Sequence, residues 1–331
     1  MWLHRMATAG LLAVWLAAVC AQAQEPPLLN QAVQNNWMQF SIASGRVTLD
    51  GTRVGNIQSS NSDSSGRREQ LSVRNDNGEP AMTYERTSAD ESLLFDFASG
   101  DRVRIRRTPK GAGSVVPMEF VQLPNEKLVL TLGPADHQQA YQAASLWHLL
   151  IAQPQPCKQH LVPVLEMLRP DWKLVETAAK VEQRLLQGVG GDVAAQRSRW
   201  AAWIEQLGND RFAKREAADR ALRAAAPSVL SYLRQIEFGR LDAEQQFRVR
   251  RIIDALSGQS SDDSPEQVAA TLSGDPMVWL ALLERPELST RQTAARQLVA
   301  LLGEPIGVDP AADPATQQTQ REQLRARIEE K

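Results

Sequence analysis

The chain has 331 residues, a hydrophobic content of 43%, and 37 basic against 39 acidic side chains, which gives a formal net charge of −2. A protein that grips nucleic acid normally carries a basic surplus, so the charge balance argues against a nucleic-acid partner. The length corresponds to about two domains.

Residues 1–23 have the organisation of an export signal. Arg5 precedes the apolar run LLAVWLAAV, which is too short to span a bilayer, and AQA at 21–23 offers small side chains to a signal peptidase. We therefore expect cleavage after Ala23 and a periplasmic or extracellular protein. Lipid attachment through Cys20 is a less favoured alternative, because the preceding Val19 is not small. No later run reaches the ~20 apolar residues of a membrane helix.

After a linker at residues 24–36, residues 37–135 have the pattern of an antiparallel β domain. Short alternating segments flank turn sequences at Asn77-Gly78, Ser99-Gly100 and Pro124-Asn125-Glu126. Consecutive hairpins predict a meander, closed as a sandwich or a barrel. The serine-rich stretch at residues 56–70 predicts a long flexible loop between two of these strands.

One strand of this domain carries a row of arginines. In DRVRIRR the alternation places Val103 and Ile105 on one face, and on the other face it places Arg102, Arg104 and Arg106. The row is either a binding strip for an anionic polymer or glycan, or a solvated strand face whose charge protects an edge. Residues 37–135 hold 12 basic and 12 acidic side chains, so no net field favours the binding strip.

From residue 136 onward the apolar period is helical. Residues 136–191 predict helical hairpins that join the two halves, and Trp147 is expected to seal the junction between them. Residues 192–304 predict further helix pairs. A proline-rich connection and a polar C-terminal capping helix are expected at 305–331. The predicted fold class is α+β, with two domains.

A spacing recurs in these helix pairs: an arginine, an alanine three positions on, and a leucine seven positions on. Close copies begin at Arg215 and Arg291, and a looser copy begins at Arg250. In the looser copy Ile253 takes the place of the alanine, and Leu256 comes one residue early. The starts are separated by 35 and 41 residues. The residues that define the copies are Arg215, Ala218 and Leu222; Arg250 and Ile253; and Arg291, Ala294 and Leu298.

The pattern resembles a HEAT-type helical repeat, whose period is about 40 residues. The resemblance implies an α-solenoid of stacked helix pairs, surfaces that bind mostly other proteins, and no catalytic residues. It also implies that each arginine pairs with an acid of the preceding turn. Asp210 and Glu287 stand at suitable positions for two copies, and Glu244 does so for the middle copy.

The residues that might carry chemistry form no complete set. Cys157 and His160 are one helical turn apart, which is half of a metal site, and His148 is the nearest further ligand. The same pair with Glu166 is the best candidate for a nucleophile, base and orienting acid. Common hydrolase, metalloprotease, nucleotide and haem signatures are absent from the sequence, so we predict no cofactor and no metal. A buried, inert cysteine is the favoured interpretation.

Two tryptophans, Trp200 and Trp203, share a helix face and either bind a ligand or, as we favour, pack between helices. The leading functional hypothesis is a non-enzymatic scaffold that binds an unidentified protein partner through the helical array. The alternative is an envelope-polymer or carbohydrate binder that acts through the β domain. An enzyme that uses Cys157 or a scattered acid pair is the third.

Overall fold

The computed structural model describes residues 27–329 except 53–54, 65, 77–78, 99–100, 112–114, 125, 189–192, 226–227, 235, 237 and 258–262. The expected export signal and Cys20 lie outside the described residues, as do the turn residues Asn77-Gly78, Ser99-Gly100 and Asn125. The fold class is α+β: antiparallel sheets are followed by a helical region.

Ten strands build two antiparallel sheets. They are β1 Met38–Ala43, β2 Arg46–Thr52, β3 Ile57–Ser62, β4 Arg68–Asp76, β5 Glu79–Thr87, β6 Glu91–Ala98, β7 Arg102–Pro109, β8 Met118–Gln122, β9 Leu128–Leu132 and β10 Gln139–Ala143. Strands β3 to β10 follow one another in chain order across an eight-stranded sheet, and β1 pairs with β2. The predicted meander is thus confirmed. Its described strands form an open row with β3 and β10 at the edges.

The two sheets enclose an apolar core. Strand β2 lies against β4, β5 and β7, and the rings of Phe40 and Phe97 meet across the sheets at 5.2 Å. Val103 and Ile105 are fully buried, while the arginines between them face solvent, as the alternation predicts. Gln122 joins the sheets with polar contacts: its side-chain amide exchanges hydrogen bonds with the backbone N–H and C=O of Val47, at 3.0 and 2.7 Å.

Three segments differ from the sequence predictions. Within the expected loop at 56–70, the serine-rich residues 57–62 form the edge strand β3, paired from Ile57↔Val73 to Ser62↔Arg68. Residues 139–143, expected to be helical, form β10 against β9. In both cases backbone hydrogen bonds to an open sheet edge outweigh the weak local pattern.

The third difference is a helix, α1 Leu28–Gln34, which replaces the expected linker. Leu29 and Ala32 are fully buried against the sheet. The buried carboxylate of Glu69 accepts a hydrogen bond from the first helical N–H, that of Leu28, at 2.7 Å, and a second from the hydroxyl of Tyr84 at 3.0 Å. A negative charge at a helix N-terminus is stabilising, so the strand residue Glu69 holds α1 in place.

The described helices after the sheets are α2 Leu146–Ala152, α3 Pro154–Pro156, α4 Val162–Leu165, α5 Leu174–Gln187, α6 Val193–Leu207, α7 Phe212–Ala224, α8 Ser228–Arg234, α9 Ala243–Ser257, α10 Pro265–Leu272, α11 Pro276–Leu282, α12 Leu288–Leu302 and α13 Pro314–Glu329. A π-helical turn, Cys157–Leu161, joins α3 to α4, and 3₁₀ turns lie at Pro170–Trp172 and Phe238–Arg240. Among the described residues, no helix combines the length and the apolar character that a membrane span requires.

The helices bury two separate cores. Helices α6 to α9 share a small cluster that includes Trp200, Leu222 and Val249. Helices α2 to α5 and α10 to α13 instead contribute to the same large cluster as the sheets. Helix α10 packs on α5 and α11 packs on α2, although long stretches of chain separate them. The segment from α6 to α9 (the α6–α9 unit) therefore has a core of its own, and it meets the main body where α8 packs on α10 and α6 on α12.

Asp263 lies just before α10, where the chain returns to the main body. Its carboxylate accepts hydrogen bonds from the backbone N–H groups of Ser44 and Gly45 at 2.8 and 2.6 Å, and from the indole N–H of Trp147 at 2.7 Å. Its own N–H donates to the carbonyl of Ile42. The β1–β2 turn, helix α2 and the start of α10 therefore meet at this one residue, and Trp147 lies at the junction where the sequence places it.

Candidate functional site

The two close copies of the recurring spacing share one geometry. Nη1 of Arg215 donates to the carbonyl oxygens of Asn209 and Asp210 at 2.7 and 3.1 Å. Nη1 of Arg291 donates to the carbonyls of Arg285 and Pro286, also six and five residues earlier, at 2.9 and 2.6 Å. Each arginine satisfies backbone acceptors of the turn that enters its helix. The following positions of both copies are buried: Ala218, Leu222, Ala294 and Leu298.

The expected pairing of these arginines with acids of the preceding turn is wrong. The guanidinium groups donate to backbone carbonyl oxygens instead, because the tight turn brings these oxygens closer than the side chains of Asp210 and Glu287. Nε of Arg291 also donates to the carbonyl of Pro310 at 2.8 Å. The acid beside Arg215 is Glu244 of α9, with 3.5 Å between Nε and Oε1.

The middle copy has a different register from the predicted one. Arg250 is exposed, and its guanidinium lies 5.2 Å from the ring centre of Phe238. One turn earlier, Nε2 of Gln246 donates to the carbonyls of Phe238 and Leu241, each at 3.0 Å. Val249, three positions after Gln246, is fully buried, and Ile253, seven positions after it, packs against the same core. In this copy Gln246 therefore takes the place of the arginine. Because the predicted spacing begins at an arginine, it assigns the start of the copy to Arg250, one helical turn too late.

The last helix repeats this arrangement. Gln317 in the first turn of α13 donates through Nε2 to the carbonyls of Pro310 and Ala312, at 2.9 and 2.8 Å. Leu324, seven residues later, is buried, and α13 packs on α11. Four helices thus begin with a long polar side chain that closes the preceding turn.

An ion-pair network covers the contact between α7 and α9. Arg248, which is 8% exposed, lies 2.8 Å from Glu216 and 2.6 Å from Glu244, with Asp219 at 3.9 Å. Hydrogen bonds to Glu244 and Glu216 raise the pKa of Arg248. Buried charges must be paired to be tolerated, so this network sets how the two helices align.

Two phenylalanines stand out at the rim of this network. Phe212 is 63% exposed and Phe247 is 59% exposed. The sequence pattern places Phe212 near the buried face, which is wrong: it is the first residue of α7, six positions before Ala218, and therefore about 120° away around the helix. Nothing in the spacing singles out Phe247. Exposed rings on neighbouring helices are typical of interaction sites.

The tryptophan pair packs between helices. Trp200 is buried, and its ring lies 5.6 Å from that of Tyr232, while Trp203 is half-buried against the same core. The packing interpretation is confirmed for Trp200, and the ligand-stacking alternative is wrong for it because no ring face is open.

Two arginines of the row on β7 share one carboxylate. Arg104 and Arg106 both bind Oε1 of Glu119 on β8, at 2.8 and 2.9 Å. Hydrogen bonds from Arg106 and Arg104 lower the pKa of Glu119 and outweigh its partial burial, which raises it. Arg102, at the strand end, is exposed. This arrangement favours a solvated strand face over a binding strip.

Cys157 and His160 do not form a site. Cys157 is fully buried, with Sγ 3.6 Å from the carbonyl of Leu149, and burial raises the pKa of the thiol to about 12. His160 points to Arg107, at 3.1 Å from Nδ1. Glu166 accepts a hydrogen bond from the N–H of Leu174 at the start of α5. Among the described residues, no group of three or more His, Cys, Asp or Glu side chains is placed to hold a metal ion.

A serine, a histidine and an aspartate that the sequence analysis overlooks do meet. Oγ of Ser145 lies 2.7 Å from Nδ1 of His148, and Nε2 of His148 lies 2.8 Å from Oδ2 of Asp275. These residues belong to helix starts: Ser145 caps α2, and Asp275 caps α11 through a hydrogen bond from the N–H of Met277. His148 thus joins two helix N-termini that are distant in sequence.

The residue types are those of a hydrolytic triad, but the imidazole is reversed: a triad has Nε2 on the serine and Nδ1 on the aspartate, whereas here Nδ1 of His148 faces Ser145 and Nε2 faces Asp275. The serine is also closed to a substrate. Ser145 is 4% exposed, and Gly45 of the β1–β2 turn packs on it so closely that an added Cβ would lie 2.4 Å from the serine Cβ. A nucleophile needs room for a carbonyl carbon within about 3–3.5 Å. We therefore interpret the three residues as a structural tie.

A shallow depression of about 380 Å³ between α12 and the 305–313 connection is lined by Gln292, Ala295, Arg296 and Pro310. It is remote in sequence from the serine, histidine and aspartate described above. Comparison of the chain with protein families, with curated proteins and with solved structures finds no match in any of the three.

Proposed function

We propose that the chain is an exported, non-enzymatic interaction protein whose helical region is HEAT-like. The supporting observation is the shared geometry of the helices that begin near Arg215, Gln246 and Arg291, where a polar side chain closes the entering turn and the positions three and seven residues on pack into a core. Such helix pairs stack to form binding surfaces.

The absence of an enzymatic role is part of this proposal. Its support is that the reactive groups of the described chain have structural roles. Burial closes Cys157 and Ser145 to reagents, and the carboxylates of Asp263 and Asp275 hold backbone N–H groups.

Within the helical region, the α6–α9 unit is the best candidate for the binding surface. It has its own core and carries both exposed phenylalanines. The body formed by the sheets, α2 to α5 and α10 to α13 serves in this proposal as the support that holds the unit.

The test is site-specific photocrosslinking with the full chain in cells that make the protein. A photoreactive amino acid replaces Arg251 or Ala217 in the α6–α9 unit, and Glu85 or Lys127 in the β domain as matched exposed controls. We expect discrete protein adducts from the helical positions and none from the sheet positions. Adducts that arise only from Glu85 or Lys127, with every variant folded, would contradict the proposal.

A further inference from the structure

The two exposed phenylalanines lie on one continuous surface of the α6–α9 unit. The ring of Phe212 lies 5.7 Å from the guanidinium carbon of Arg215, and Arg215 reaches Glu244 of α9 at 3.5 Å. Phe247 follows Glu244 by three residues and is therefore its neighbour on the helix surface. We call Phe212, Phe247 and the ion-pair network between them the two-phenylalanine patch.

The surroundings of the patch are basic. Arg211 directly precedes Phe212 in the chain, Lys214 follows it by two residues, and Arg251 is one turn from Phe247; all three are exposed. In the described part of the chain, salt bridges are found for Arg215 and Arg248 but for none of these three cations. Residues 193–257 hold 12 basic and 8 acidic side chains, a net charge of +4, whereas the whole chain has −2. The unit is thus a positive region on a protein that is otherwise negative.

Building on the proposed function, we propose that the two-phenylalanine patch binds an acidic amphipathic segment of a partner protein. Apolar side chains of the segment cover the two rings, which removes them from water. Carboxylates beside them pair with Arg211, Lys214 and Arg251, for which the described residues supply no salt bridge. Charge complementarity of this kind steers association and selects the partner.

The carboxylates of the patch favour a protein over a membrane surface. Glu216 and Glu244 lie between the phenylalanines with 40% and 45% of their side chains exposed. Immersion of the rings in a bilayer would take these charged groups out of water, which is costly. A polypeptide can place polar groups beside its apolar side chains, so that polar groups meet the two carboxylates while apolar side chains cover the rings.

The test measures peptide binding to the full chain by fluorescence anisotropy. The probe is a fluorescein-labelled 16-residue helical peptide with leucine on one face and glutamate on the other; in the matched control peptide lysine replaces glutamate. We expect the glutamate peptide to bind at least about tenfold more tightly than the lysine peptide. The variant Phe212→Ser/Phe247→Ser should weaken that binding by at least about tenfold, which corresponds to about 1.4 kcal/mol.

Two further variants separate the contributions. Arg211→Glu/Lys214→Glu should reverse the preference between the two peptides. Val299→Ser, which removes a different exposed apolar side chain on α12, should leave both affinities unchanged. Since all of these positions are exposed, the variants should keep the melting temperature of the parent.

Equal affinities for the two peptides would overturn the proposal. So would binding to phosphatidylglycerol vesicles that depends on Phe212 and Phe247 while the glutamate peptide does not bind. The crosslinking experiment keeps the two proposals apart. If the Arg251 position gives adducts but the two peptides bind equally well, the acidic partner is contradicted and the interaction role is retained. If no helical position gives adducts, the interaction role is contradicted, whatever the affinities of the two peptides.

Discussion

Asp263 connects parts of the chain that are far apart in sequence, and its carboxylate serves three donors. Because Ser44 and Gly45 have positive φ values of 52° and 71°, their N–H groups point outward from a strained turn and need this acceptor. Asp263→Ala leaves these two donors and the indole N–H of Trp147 without it. Hydrogen bonds to charged groups contribute about 1.5–3 kcal/mol each, and partial exposure reduces the loss.

We expect Asp263→Ala to lower the free energy of unfolding by about 2–3 kcal/mol, measured from urea unfolding curves. Asp136→Ala is the control, because that side chain is 74% exposed and its carboxylate lies 3.6 Å from the neighbouring His137; its effect should be within about 0.5 kcal/mol. Equal unfolding midpoints for the two variants would contradict the role of Asp263.

Asp275 makes the stability depend on pH. Burial raises the pKa of its carboxyl, but the hydrogen bond and charge of His148, the N–H of Met277 and the charge of Arg197 lower it further, so that the folded pKa lies below the ordinary value of 3.8. A carboxyl with a depressed folded pKa stabilises the protein above its unfolded pKa. This stabilisation is lost as the pH falls through the folded pKa.

Asp275→Asn should therefore be less stable than the parent by about 2 kcal/mol at pH 6, and the difference should shrink as the pH falls from 5 to 2. Urea unfolding at a series of pH values measures both quantities. Asp136→Asn serves as the reference for general effects of charge. A difference from the parent that stays constant between pH 5 and pH 2 would show that the carboxylate is not what stabilises the junction.

At the scale of elements, the hydrophobic period of α7 decides how the α6–α9 unit packs. Leu222 is fully buried among Trp200, Val249 and their neighbours. Leu222→Asp places an unpaired charge there, at a cost of several kcal/mol. Ala217→Asp on the exposed side of the same helix is the matched control.

We expect Leu222→Asp to remove hydrogen-exchange protection from α6 to α9 while β5 to β7 keep theirs, because the two groups of elements have separate cores. Mass spectrometry of exchanged peptides measures this. Ala217→Asp should leave the protection of both groups as in the parent. Intact protection of α7 in the Leu222→Asp chain would mean that the register of this helix is wrong.

The elements also show where sequence patterns are reliable. The spacing of Leu174, Ala178, Val181 and Leu185 predicts one buried face of α5, because the apolar positions of a long amphipathic helix mark the side that packs on the core. Three of these residues are buried, and Ala178 is half-buried against the same core. Strands β3 and β10 have no such pattern, since each lies at a sheet edge and its partner supplies the backbone hydrogen bonds. The first turn of α9 is a similar case, because Gln246 makes the contacts that the pattern assigns to an arginine.

At the scale of the whole molecule, contacts between distant segments are the part that the sequence does not reveal. Neither the link from Asp263 to the β1–β2 turn nor that from His148 to Asp275 has a local spacing. Both depend on the chain returning at α10 to the body that it leaves after α5. The candidate patch is hidden from the sequence for a related reason: exposure of Phe212 and Phe247 is decided by how α7 packs on α9.

The two cores also predict how the molecule unfolds. The α6–α9 core is smaller than the one shared by the sheets and the other helices, and buried apolar area determines most of the stability. One connection between the cores is Arg197 of α6, which stacks 5.1 Å from the ring of Tyr232 and donates to the carbonyl of Gly274. Helix α8 also packs on α10, and α6 on α12, but the smaller core has less buried area to hold it closed, and regions of a protein open locally at different free energies.

In native-state hydrogen exchange at increasing urea, we therefore expect the amides of α6 to α9 to open at a lower free energy than those of β5 to β7. Arg197→Ala should widen this gap, because it removes a connection to the 273–275 turn without opening either core. Arg199→Ala, an exposed neighbour on α6, should leave the gap unchanged. If both sets of amides open at the same free energy, the two cores unfold together and are coupled more strongly than their packing indicates.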